Sequence, residues 1–146
     1  MDEIIKLLDK NLEYISHEII QDTIYITVVS TKTEWICPHC GTPSSRVHSR
    51  YERRFQDLPI QGKKVIIILR NKKVFCDNPK CSATTFAEKF AFLSHKAKRT
   101  IRLENEVLRI SSNCSSVAAS QLLSTSTATI GKSTICSLLK KRRDYT

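Results

Sequence analysis

The chain is poor in the residues from which most catalytic loops are made. It has three glycines and four prolines in 146 residues. No Gly-rich phosphate loop is present. The one fragment resembling the end of such a loop, IGKST at residues 130–134, has Ser126 where the required earlier glycine would stand. A nucleophile elbow is missing, and so is the H-x-E upstream of P-C-x-x-C that marks zinc deaminases. No apolar run approaches the roughly 20 residues of a membrane span. The opening MDEIIKLLDKNLEY is acidic and lacks the long apolar stretch of a secretory signal. There is no internal repeat and no collagen-like or coiled-coil period. Together these absences predict a cytoplasmic protein with no membrane partner. In a reducing compartment, six cysteines argue for metal or free thiols rather than a disulfide framework.

Charge is abundant but unevenly placed. Residues 1–34 hold three bases against seven acids, a net −4. Residues 35–146 hold twenty-one bases against seven acids, a net +14. A basic body of this kind suits a polyanion, most often nucleic acid. The length allows one ordinary domain or two very small ones. A module of about 50 residues has little core of its own and usually needs a metal, disulfides or a partner.

Periodicity predicts an α+β chain. DEIIKLLDK, residues 2–10, reads as a short helix with acids first. TIYITVVS, residues 23–30, reads as a strand, with residues 12–20 as its hairpin partner and a turn at Gln21-Asp22. Further strands are expected at 34–37, 47–55 and 65–69, with a break at Asp57-Leu58-Pro59. After Phe92 the pattern turns helical. TIRLENEVLRISS, residues 100–112, has amphipathic spacing with Thr100 as a plausible cap. Short helices are expected at 116–123 and 132–142, the second with Ile135, Leu138 and Leu139 on one face. This gives a β-rich N-terminal domain, 1–92, and a small all-α domain, 93–146.

CPHCG, residues 37–41, has two readings. It is a redox dithiol if Cys37 opens a helix, and half of a zinc site if it forms a knuckle. Gly41 and Pro43 lie too close behind Cys40 for a continuing helix. No βαβ pattern surrounds the pair, as a thioredoxin fold would require. Cys76 and Cys81, in CDNPKC, supply a second pair with turn-forming residues between them. Each pair follows a strand-like dipeptide, Trp35-Ile36 or Val74-Phe75. Four thiolates from two such knuckles surround one Zn²⁺ tetrahedrally. The expectation is therefore one structural zinc on Cys37, Cys40, Cys76 and Cys81, with no catalytic residues. His39 is expected to point away, and His48 is the only substitute ligand. Cys114 and Cys136 are expected to be small core residues.

These ordered features resemble the N-terminal zinc-binding region of the ISL-three family of bacterial insertion-sequence transposases. The resemblance rests on CPHCG, His48-Ser49, Asp57-Leu58-Pro59, the apolar run 65–69, Phe75-Cys76, the second knuckle and the Phe86-x-Glu88 pair. It runs on through RTIRL, residues 99–103, to Leu139-Lys140, and is firmest over 35–140. It implies DNA binding at the inverted repeats that end a transposon. Members of the family continue into an RNase H-like catalytic domain that this sequence does not contain. The expectation is thus a truncated chain that binds DNA and performs no strand transfer, and is not an enzyme. Implied partners are double-stranded DNA at the element's ends, intact transposase, or a second copy of this chain, at the bacterial nucleoid. The alternative is a zinc-ribbon adaptor for RNA or protein in transcription or translation.

The end of the chain follows a helix-turn-helix plan, with 117–123 as supporting helix and 132–142 as recognition helix. Lys132, Ser133, Thr134 and Ser137 would face the groove. Phosphate contacts are expected from Arg50, Arg53 and Arg54, from Lys96, Lys98, Arg99 and Arg102, and from Lys140, Lys141 and Arg142.

Overall fold

The computed structural model describes residues 1–94, 97–112, 117–118, 121 and 132–144, with backbone alone at 132, 133 and 141–144. Helix α1 (Asp2–Leu8) precedes strands β1 (Leu12–Ile20) and β2 (Thr23–Ser30). Two very short strands follow, β3 (Trp35–Ile36) and β4 (Pro43–Ser44). A long hairpin, β5 (Val47–Ile60) and β6 (Lys63–Phe75), leads to β7 (Thr85–Ala87). Helices α2 (Ile101–Ser111) and α3 (Lys132–Asp144) close the described part. The α+β class expected from the sequence is the one observed. None of the described helices is long and apolar enough to cross a membrane.

The main sheet has the order β1-β2-β6-β5, with β7 added to β6; β3 and β4 form a separate pair. In β2 burial alternates strictly, with Ile24, Ile26, Val28 and Ser30 inward. That is the period-2 signal of a half-buried strand. In β6, Val65, Ile67, Leu69 and Asn71 are buried in the same rhythm.

The hairpin is longer than the sequence suggested. A break was expected at Asp57-Leu58-Pro59, yet β5 runs through to Ile60. The reason is topological. β5 is an outer strand, and a proline lacking its N–H is tolerated at a sheet edge. The turn falls at Gln61-Gly62, where φ is 50° and 75°. Two successive residues at positive φ form the hairpin turn whose twist suits paired strands.

The chain forms two compact units that are not continuous in sequence, unlike the division at 92/93. One comprises Met1–His17, Ile26–Arg54 and Ile67–Ala91. It carries α1, the β3–β4 pair, β7 and a cluster of Trp35, Cys37, Val74 and Phe86. The other comprises Glu18–Tyr25, Phe55–Ile66 and Phe92–Thr146. Its helical cluster is Leu103, Val107 and Ile135, with Leu58, Ile110, Leu138 and Leu139 packed on it.

In the second unit, the outer edge of β5 is covered at Gln56. Gln56 N–H donates to the Lys98 carbonyl at 2.8 Å, and Thr100 N–H donates to the Gln56 carbonyl at 2.9 Å. Thr100 then caps α2, its hydroxyl accepting from Leu103 N–H at 3.3 Å. The inward face of α3 is the expected one, built from Ile135, Leu138 and Leu139. Cys136, expected as a core residue, is exposed. It lies one residue past Ile135, about 100° round the helix from that buried position. Cys114 and most of the proposed supporting helix lie outside the described residues.

Candidate metal centre

Both cysteine pairs sit just beyond paired strands. β3 and β4 pair antiparallel, Trp35 with Ser44 and Ile36 with Pro43. Cys37 follows β3 directly. Its N–H donates to the Thr42 carbonyl at 3.1 Å, and its carbonyl accepts from Gly41 N–H at 2.9 Å. Gly41 has φ 75°, a left-handed conformation that glycine adopts without the Cβ penalty. Closing this tight turn folds Cys40 back beside Cys37. A helix starting at Cys37, which the redox reading required, is not there.

The second knuckle repeats the plan between β6 and β7, which pair Phe75 with Thr85 and Val74 with Phe86. Cys76 N–H donates to the Thr84 carbonyl at 2.9 Å, and Cys81 N–H to the Asn78 carbonyl at 3.1 Å. The Asn78 side chain also accepts from Lys80 N–H at 3.0 Å. The Asn and Pro of CDNPKC thus act as turn residues.

The four Sγ atoms lie within 4.8 Å of one another. Cys37 and Cys81 are 3.9 Å apart, and Cys40 and Cys76 3.5 Å. Sulfurs at roughly 2.3 Å from a tetrahedral zinc stand about 3.8 Å from each other. The observed separations bracket that edge and far exceed a disulfide bond of about 2.05 Å. The donor set fits one Zn²⁺ and leaves no open position for catalysis. Bound zinc would supply a four-way cross-link between the knuckles and a site charge of −2. Neither His39 nor His48 belongs to the cluster. His48 instead packs edge-on against Phe75, ring centroids 4.8 Å apart, and bonds Ser49.

The thiols differ in their readiness to ionise. Hydrogen bonds from the Thr42 hydroxyl, then from its backbone, bring Cys40 down to about 6. At Cys76 the Asn78 N–H pulls downward, but burial and the neighbouring thiols outweigh it and push the group up to about 12. Cys81 is raised as well, its lowering bonds to the Ala83 backbone and the Cys76 thiol outweighed by burial and by the Cys40 and Cys37 thiols. Metal binding must displace the protons held by such groups.

The ribbon core is completed by polar contacts. Glu88, 2% exposed, accepts from the Trp35 indole N–H at 2.7 Å. Asn71, fully buried, donates to the Tyr51 hydroxyl at 2.8 Å. Arg46 sits 5.0 Å from the centre of the Phe75 ring and pairs with Asp77 at 2.7 Å.

The basic residues expected at DNA fare unequally. Arg50 and Arg54 are exposed on β5, though Arg54 lies 3.7 Å from Glu52. Arg53 and Arg99 are half-buried, while Lys98 and Lys140 are exposed. On α3, Ser137 is exposed and Thr134 half-buried. Lys96 and the side chains of Lys132, Ser133, Lys141 and Arg142 lie outside the described residues. Arg102 departs from expectation. Its Nε donates to Asp57 at 2.8 Å, and its Nη2 donates to the other carboxylate oxygen. Asp57 also accepts from the Thr100 hydroxyl at 2.7 Å. A carboxylate only 3% exposed requires such partners, so Arg102 is held for the architecture of α2. In the sequence, Asp57-Leu58-Pro59 carries the signal of a break and none of a buried acid.

Two strand-borne knuckles presenting four converging thiolates define a zinc ribbon. Residues 33–81 match the zinc-finger of transposase IS204/IS1001/IS1096/IS1165. This third of the chain is therefore similar to the zinc finger of ISL-three-type transposases. No curated protein and no solved structure matches the chain.

Proposed function

We propose that the chain binds double-stranded DNA at the terminal inverted repeats of an insertion sequence. In this reading it acts as the recognition part of a transposase, at the bacterial nucleoid, with no strand-transfer chemistry of its own. The observation that carries the reading is the match of the zinc ribbon to a transposase zinc finger. The net +14 of residues 35–146 supports it, because phosphate neutralisation supplies most of the affinity of such proteins. So does the construction of α3, whose apolar residues face α2 and leave Ser137 and Lys140 outward. α3 would enter the major groove, with Lys132, Ser133 and Ser137 at base edges. Arg50, Arg54, Lys98 and Lys140 would contact phosphates.

The test is fluorescence anisotropy of the zinc-loaded protein on duplexes carrying the element's own ends. A preference over scrambled duplexes is expected. About six phosphate contacts predict a log K against log salt slope of roughly −5. Equal affinity for scrambled DNA would remove the specific reading, and tighter binding to RNA would favour an adaptor.

A further inference from the structure

We propose that a cavity in the ribbon unit takes an unpaired nucleobase that carries an amino group. The inference deepens the nucleic-acid reading above and rests on it. The cavity measures about 270 Å³ and is lined from β3 and β7 and from the segments beside them. All of its lining residues belong to one compact unit. Pockets for drug-sized ligands run to about 300–1,000 Å³, so this one suits a single base or a single side chain. Its apolar walls are Trp35, Ile36, Pro38 and Phe86.

The polar groups select the chemistry. Glu88, at 2% exposure, is the least exposed polar residue of the lining. One of its carboxylate oxygens accepts from the Trp35 indole N–H at 2.7 Å. The other is buried and meets no donor among the described residues. A buried acceptor left unpaired is costly, so a ligand that donates a hydrogen bond there is favoured. A cationic donor is opposed by lysines. Lys32 and Lys89 stand exposed at the mouth, and Lys72 Nζ lies 5.3 Å from the centre of the Trp35 ring. Glu34 is the single acid at the mouth, so the rim is net basic. An anion is opposed at the floor by Glu88 itself. What fits is a neutral N–H donor on an apolar body, with negative charge left outside among the lysines. Cytosine, adenine and guanine, each joined to its phosphate, have that arrangement. The base must be unpaired, because its Watson–Crick edge has to be free for reading.

The experiment titrates the zinc-loaded full chain with short single-stranded oligodeoxycytidylate and oligodeoxyuridylate of equal length. Where one base has an amino group the other has a carbonyl. Trp35 is the only tryptophan and forms part of the wall, so its emission reports occupancy. Oligodeoxycytidylate should change that emission and bind about three- to tenfold tighter, the worth of one hydrogen bond. Glu88→Gln can keep the bond to Trp35 but sets an amide NH₂ where the free oxygen stood. Its preference for cytosine should vanish, with zinc content unchanged. Lys32→Ala and Lys89→Ala alter exposed residues, and keep the proposal testable if Glu88→Gln loses zinc. Each should weaken both oligonucleotides alike and reduce the log K against log salt slope by about 0.7. Unchanged emission, equal affinity for the two oligonucleotides, a preference that survives Glu88→Gln, or a slope indifferent to both lysine variants overturns the proposal. An emission change with an acidic asparagine-containing peptide, and with neither oligonucleotide, overturns it in favour of a protein partner. Duplex binding at the element's ends is measured separately. If it persists, only the cavity proposal has failed; if both are lost, the nucleic-acid reading has failed with it.

Discussion

Around Cys37 the buried set is Trp35, Val74 and Phe86, and four sulfurs complete it. Around Ile135 it is Leu103 and Val107, with no metal-ligand group among the described residues nearby. Fully burying one aliphatic side chain stabilises by about 1.5–3 kcal/mol. A structural zinc contributes about 10–16 kcal/mol in small fingers near neutral pH. The ribbon is therefore governed by one ligand set, and the helical pair by several contacts of similar size. A single atom can undo the first; the second should weaken in steps.

The largest test is removal of the metal. Chelation, or Cys37→Ser, should unfold the ribbon and shift the emission of Trp35, the only tryptophan, to the red. One zinc per chain should be lost in parallel. Unchanged emission after complete loss would mean that the metal does not hold this core. Next in size is Leu103→Ala. Leu103 is fully buried, and such truncations cost about 2–5 kcal/mol. Denaturant unfolding followed at 222 nm should show it, with zinc content unchanged. A loss of zinc in this variant would break the contrast between the two clusters. Asp57→Asn should follow at about 1–3 kcal/mol. It keeps an acceptor for Thr100 but leaves Arg102, with a side chain 31% exposed, without its counter-charge. An undiminished melting temperature would show that the buried carboxylate is dispensable.

Legibility in the sequence followed the same division. The zinc ligands could be read because two knuckles impose turn chemistry and spacing on neighbouring residues. β2 and α2 could be read because one buried face imposes a period. What stayed hidden depended on distant partners. Pro59 looked like a stop because nothing local says that β5 is an outer strand. Arg102 looked like a free cation because its partner, Asp57, lies 45 residues away. Cys136 looked apolar by residue type, while its rotation on α3 is set by Ile135. Glu88 is fixed across a gap of 53 residues by Trp35, and residue spacing carries no trace of that bond.

The smallest expected effect lies on the helical side and separates packing from charge there. Glu106 and Arg109 pair one turn apart on α2, at 2.5 Å. The Arg109 hydrogen bond, followed by its positive charge, holds the Glu106 carboxyl below its usual value of 4.5. A carboxylate with a depressed folded-state pKa stabilises above its unfolded value. That contribution disappears as pH falls through the folded value. Glu106→Gln should therefore lower the melting temperature slightly at pH 6–7, and the difference should shrink as pH falls below 4.5. Arg109 is well exposed, so salt should shrink the difference further. The measurement is a pair of melting curves, wild type and variant, at each pH in low and high salt. If the difference did not shrink with falling pH or with salt, the glutamate would be contributing through packing rather than charge. The helical side would then rest on apolar contact even at its surface.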